Sequence, residues 1–115
     1  MLVRQGTLQP IDFNGLQIHD YTADANLDSS MALIDVPAGV DHAEAYSRRS
    51  DKYYLVVSGE IFFLLEGEGF LLGPKDFCFV KRGKRFAYRN EGPSPATIVL
   101  VHTPSFDLES EVFVG

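Results

Sequence analysis

The chain has 115 residues, 45% of them apolar, which suits one domain with one core. Ten basic against sixteen acidic residues leave a formal charge of −6, which argues against nucleic acid as a general partner. No apolar run approaches the roughly 20 residues that cross a bilayer, and the lone Cys78 excludes an intramolecular disulfide or a cysteine zinc cluster.

Ten glycines and six prolines, without long helix-period runs, point to an all-β class. The opening residues Met1 to Gln5 lack the character of a signal peptide, so a cytoplasmic protein without membrane partners is the expectation. Residues 1–30 are the least decisive; Leu16 to His19 alternates and suits a strand, and 22–29 read as a polar loop. Ser30 to Val36 is a better strand, stopped by Pro37-Ala38-Gly39. A polar stretch, 40–51, follows, with His42 read as a loop residue at one end of the fold. Lys52 to Val57 and Glu60 to Leu65 read as a buried hairpin turned at Ser58-Gly59. Phe70 to Leu72, Phe77 to Val80, Arg85 to Asn90 and Ala96 to His102 continue the series. Turn residues part them, including the basic run Lys81-Arg82-Gly83-Lys84-Arg85. Strands recurring at about 8–12 residues suggest a sandwich or barrel.

Residues 60–65 carry so little polar content that both faces need cover, which predicts a terminal strand or a subunit partner there and a homodimer. Nine of the ten basic residues lie between Arg48 and Arg89, so a local cationic site inside an acidic protein is conceivable beside the plainer reading of a solvated turn.

The organisation resembles the cupin superfamily, in its small single-domain form. Two motifs carry the resemblance, G-x5-H-x-H-x3-4-E-x6-G and G-x5-P-x-G-x2-H-x3-N. Gly59 matches the close of the first; Gly83 and Asn90 match the second. The run Val101 to Asp107 is similar to the close of many small cupins. The resemblance implies a jelly-roll barrel, a double-stranded β-helix, spanning roughly residues 30–110 within a single domain 1–115.

Counting back from Gly59 puts Tyr46, Arg48 and Lys52 at the first three metal-ligand positions; counting on from Gly83 puts Phe86 at the fourth. Gly39 falls one residue early for the first motif. Phe86 has no lone pair, Arg48 stays protonated, and Lys52 is normally a cation, so no metal cofactor is expected. A weaker alternative is a shifted ligand set of His42, Glu44 and Tyr46, which would make a metal-dependent enzyme.

Side chains two apart share a strand face, so Lys52 and Tyr54 are predicted inward, as are Phe86 and Tyr88. The expected ligand site is therefore Tyr46, Arg48, Lys52, Tyr54, Phe86 and Tyr88, an aromatic-walled pocket with two cations suited to a small anionic or aromatic metabolite. A metal-free isomerase or epimerase of a sugar or keto compound is the alternative, with Tyr46, Tyr54, Tyr88 or His102 as catalytic candidates. For His102, on an apolar strand, a satisfied core histidine is the plainer reading.

Overall fold

Strict alternation builds the strands that matter most. In Ala96 to Thr103 every second residue, from Ala96 through Ile98 and Leu100 to His102, is buried, while Thr97, Val99 and Val101 are only half buried. In Asp51 to Ser58 the buried set is Lys52, Tyr54 and Val56. Period-two burial with β-branched and aromatic residues leaves a half-buried pleated strand as the favourable conformation.

The computed structural model describes residues 1–114. Among them eleven strands form: β1 (Ile11–Phe13), β2 (Leu16–Asp20), β3 (Ser30–Val36), β4 (Asp41–Ser47), β5 (Asp51–Ser58), β6 (Ile61–Leu65), β7 (Glu68–Leu72), β8 (Phe77–Val80), β9 (Phe86–Arg89), β10 (Ala96–Thr103) and β11 (Glu111–Phe113). They make two antiparallel sheets, β1-β2-β3-β10-β5-β8 and β11-β4-β9-β6-β7. The core between them includes Ile34, Val36, Val56, Ile61, Phe63 and Ile98. No helix among the described residues is long and apolar enough to cross a membrane.

Two turns depend on glycine. Asn14 and Gly15 both have positive φ, 52° and 96°, the two-residue hairpin that an Asn-Gly pair favours, and it joins β1 to β2. At Gly59, φ is 74°, and a Cβ would stand 2.7 Å from the Ala96 Cα and the Pro95 carbonyl oxygen. A side chain there would force the β5–β6 turn away from the start of β10.

Four parts of the chain depart from the sequence-based expectation. β5 and β6 do not pair as a hairpin: β5 lies between β10 and β8 in one sheet and β6 between β9 and β7 in the other, so Ser58-Gly59 carries the chain across between sheets. The stretch 40–51 is largely strand β4, not a loop. The N-terminal region adds β1 ahead of the expected strand at Leu16 to His19, making a paired hairpin, and the residues after β10 contribute β11, paired to β4. At Phe62 of β6 the Arg89 guanidinium lies 5.0 Å over the ring, and Gly69, which pairs with Leu64 on the neighbouring strand, lacks the Cβ that would strike that ring. Exposed apolar side chains lie on both sheets: Tyr53, Leu55 and Val57 of β5 with Phe77 and Phe79 of β8 on one, and Phe70 and Leu71 of β7, next to β6, on the other.

Candidate functional site

The interior changes character in rows along the sheet. At one end Val36 faces Ala96, and the next row is Ile34, Ile98 and Val56. Then come Ala32, Leu100 and Tyr54, and last Ser30, His102 and Lys52. The aliphatic end is packed, and Asn90 closes it by donating to the Val36 and Ser94 carbonyls and accepting from the Gly92 N–H. The polar end opens into a cavity of about 300 Å³. That is the lower end of the range of small-molecule sites, roughly 300–1,000 Å³.

The cavity has three kinds of wall. The β1–β2 hairpin supplies apolar side chains, among them Phe13 and Ile18. The barrel floor supplies Tyr54 and Tyr88, and the segment after β10 supplies Phe106, Glu111 and Phe113. His42 of β4 completes it, its ring 5.0–6.0 Å from those of Phe13, Phe86, Tyr88 and Phe113.

Lys52 is 3% exposed, and its ammonium is held on three sides. It donates to Glu111 Oε1 at 2.5 Å and to His102 Nε2 at 2.8 Å, and it lies 5.3 Å over the Phe86 ring. A carboxylate, a neutral imidazole and an aromatic face are partners that compensate a buried cation. Burial holds the Lys52 pKa below its usual value, and Glu111 opposes that shift. Burial, reinforced by the Lys52 charge, pushes His102 down to about 3, so its ring is a neutral acceptor.

His42 is different. Its Nδ1 donates to the Ala43 carbonyl at 2.7 Å, which fixes the tautomer and leaves Nε2 as a lone-pair nitrogen. Burial, more than the nearby Lys52, lowers its pKa, so the neutral ring is the ordinary form. Tyr54 and Tyr88 are pushed the other way, above the usual phenol value, by burial. Both stay protonated.

Of the expected ligand residues, Lys52, Tyr54 and Tyr88 line the cavity. Phe86 is buried beside it, under Lys52 and against His42. Tyr46 and Arg48 do not line it, and Arg48 is exposed. The cause is the register of β4. A bulge separates His42 from Ala45, after which Ala45 and Ser47 are the buried residues and Tyr46 turns outward. Ala45 and Ser47 are the inward pair, which requires the longer of the two motif spacings and also brings Gly39 into place. The positions that a metal would need are then Ala45, Ser47, Lys52 and Phe86.

That set does not fit a metal. It offers a methyl, a hydroxyl, an ammonium and a phenyl group; the Ser47 Oγ already accepts from the Arg49 and Ser50 N–H groups. The shifted set fails too, since Glu44 is exposed beside Arg85, and Tyr46 lies outside the cavity that His42 lines. Among the described residues no three His, Cys, Asp or Glu side chains converge to hold a metal. Of the two cations expected to attract an anion, Arg48 is outside and Lys52 already has Glu111. The sequence reading passed over Glu111, Phe13 and Phe113, which reach the cavity through long-range pairing and carry no local signal.

Residues 32–102 match the family model described as Cupin domain. The tetracenomycin polyketide synthase protein TcmJ of Streptomyces glaucescens is 32% identical over 71 residues, 62% of this chain and 48% of that protein. The chain thus aligns to about half the length of that curated relative. Among solved structures, Pac13, described as a nucleoside dehydratase, superposes with a TM-score of 0.86 at 23% identity, covering 99% of this chain and 90% of that one. Streptomyces Pac13 variants, one with a His→Gln change and two with Tyr→Phe changes, are solved with uridine. A predicted oxalate decarboxylase from Thermotoga maritima matches with a TM-score of 0.82 at 17% identity, over 90% of this chain and 99% of that one. At these identities the structural likeness shows the jelly-roll fold.

Proposed function

This chain belongs to the cupin family, and from that premise we propose that its barrel is a metal-free acid–base site for a small, uncharged, ring-bearing molecule of nucleoside type. The observation that carries the reading is His42, a half-buried neutral imidazole whose unprotonated nitrogen has no protein partner, set in an aromatic cavity. It is the histidine of the cavity whose lone-pair nitrogen is not already engaged by the protein. His102 is too weak a base and is engaged by Lys52, and the two tyrosines hold their protons.

The chemistry this suits is proton transfer at a carbon next to a carbonyl, ending in a shift of the double bond or in loss of water. His42 Nε2 takes the proton. In the shift, the ring returns it to a neighbouring carbon; in the elimination, it passes to the departing hydroxyl, so water leaves and no other reactant is consumed. Tyr54 and Tyr88 can donate to oxygen on which charge develops. Pac13 supports the reading as a nucleoside dehydratase of the same fold, examined with a histidine and two tyrosines exchanged; one histidine with a free ring nitrogen and two tyrosines line the cavity here.

The test is calorimetric titration of metal-stripped protein with uridine, followed by solvent-deuterium exchange into carbonyl-bearing nucleosides. We expect binding without metal, and exchange that falls by about 100-fold or more in His42→Gln while uridine binding persists. Exchange that needs added metal, or that survives His42→Gln, overturns the acid–base assignment. Binding without exchange in any compound leaves a metal-free binding barrel.

A further inference from the structure

We infer that Glu111 decides which ligands the cavity accepts: its free carboxylate oxygen, with the unpartnered Tyr88 hydroxyl, selects an uncharged molecule that brings O–H or N–H donors and turns away carboxylates and phosphates. The inference rests on the cavity being the ligand site and adds the chemical class that the site takes.

Three buried side-chain polar atoms among the described residues have no hydrogen-bond partner: His19 Nδ1, Tyr88 Oη and Glu111 Oε2. The last two belong to cavity-lining residues. The Glu111 side chain is 7% exposed, with Oε1 bound to Lys52 and Oε2 bound to nothing. Buried polar groups are almost always satisfied, so an orphan in a cavity wall marks where a ligand group completes the set. A carboxylate oxygen accepts and does not donate, so that group must bring a hydrogen.

The same arrangement disfavours anions. Among the described residues Lys52 is the one lysine or arginine lining the cavity, and Glu111 and His102 already engage its ammonium. An incoming carboxylate or phosphate would meet the Glu111 charge at short range, with no free cation to offset it. Apolar and aromatic walls favour a ring as the rest of the ligand. A polyhydroxylated ring compound without a charge meets every one of these demands.

Calorimetry with three probes tests this: uridine, 2′,3′-dideoxyuridine and uridine 3′-monophosphate. For the wild-type protein we expect uridine to bind at least about tenfold more tightly than either of the others, the loss expected when a hydrogen bond to a charged group is removed or replaced by repulsion. Glu111→Gln should shrink both ratios, the monophosphate ratio most. Tyr88→Phe keeps the Lys52–Glu111 pair; it should weaken uridine and preserve rejection of the monophosphate, which covers the case in which Glu111→Gln does not fold. Equal affinity of the wild type for uridine and the monophosphate overturns the inference, as do ratios that Glu111→Gln leaves intact. Binding without discrimination overturns this inference alone, whereas no binding of any probe overturns the ligand-site reading with it.

Discussion

The two ends of one barrel interior are built from the same strands and obey opposite rules. Along β5, β9 and β10 the packed end carries Val56, Asn90 and Ala96, and the open end carries Lys52, Phe86 and His102. At the packed end every polar atom of the Asn90 amide that binds protein is matched to backbone. At the open end a lysine, two histidines, a glutamate and two tyrosines share a cavity with two of their atoms unpartnered. One end holds the barrel together, and the other holds a site whose polar groups are only partly satisfied by the chain itself. A fold that usually encloses an ion has here placed its own ammonium, Lys52, among partners that can hold a cation.

The largest effect that would sharpen this contrast is Phe63→Ala. Phe63 is 1% exposed, stacks with Tyr88 at 5.7 Å between centroids, and meets Tyr54 edge-on at 5.1 Å. Its loss should cost about 3–5 kcal/mol in denaturant unfolding. A change near zero would mean that the interior is looser than the structure shows.

A smaller effect belongs to the open end, and its sign follows from burial. The folded-state pKa of His102 lies near 3, below the ordinary histidine value of 6.5, so the unfolded chain binds the proton more readily between those two values. The histidine's contribution is therefore complete above about pH 6.5 and is lost as pH falls toward the folded value. At pH 5 that loss is roughly 2 kcal/mol for this group. Thermal melts of His102→Gln should show a shallower decline between pH 7 and pH 5 than the wild type. Identical slopes would mean that His102 does not sit as a buried neutral ring.

How much of this was legible depended on how local the signal was. β5, β6, β8 and β10 announce themselves through dense apolar and β-branched runs, and the resemblance to cupins rests on the same stretch. β4 did not, because Asp41-His42-Ala43-Glu44 is polar and the bulge after His42 changes which residues face inward. No residue in that stretch reveals a one-residue shift, although Gly39 falling one position early was a clue to it. The Asn14-Gly15 pair was a hairpin signal that went unused. Glu111 had no signal at all: it sits 59 positions from Lys52, and pairing of β11 with β4 brings it there. The lysine at a ligand position was readable; the carboxylate that neutralises it was not, and that difference is why an uncharged guest is proposed here in place of the anion the sequence suggested.

The most direct measurement is a crystal structure of protein purified without added metal and soaked with uridine. The expected result is a nucleoside in the cavity, with a hydroxyl on Glu111 Oε2, a ligand atom about 3 Å from His42 Nε2, and Lys52 still bound to Glu111. A metal ion bonded to His42 or His102, with Lys52 displaced from the interior, would contradict it.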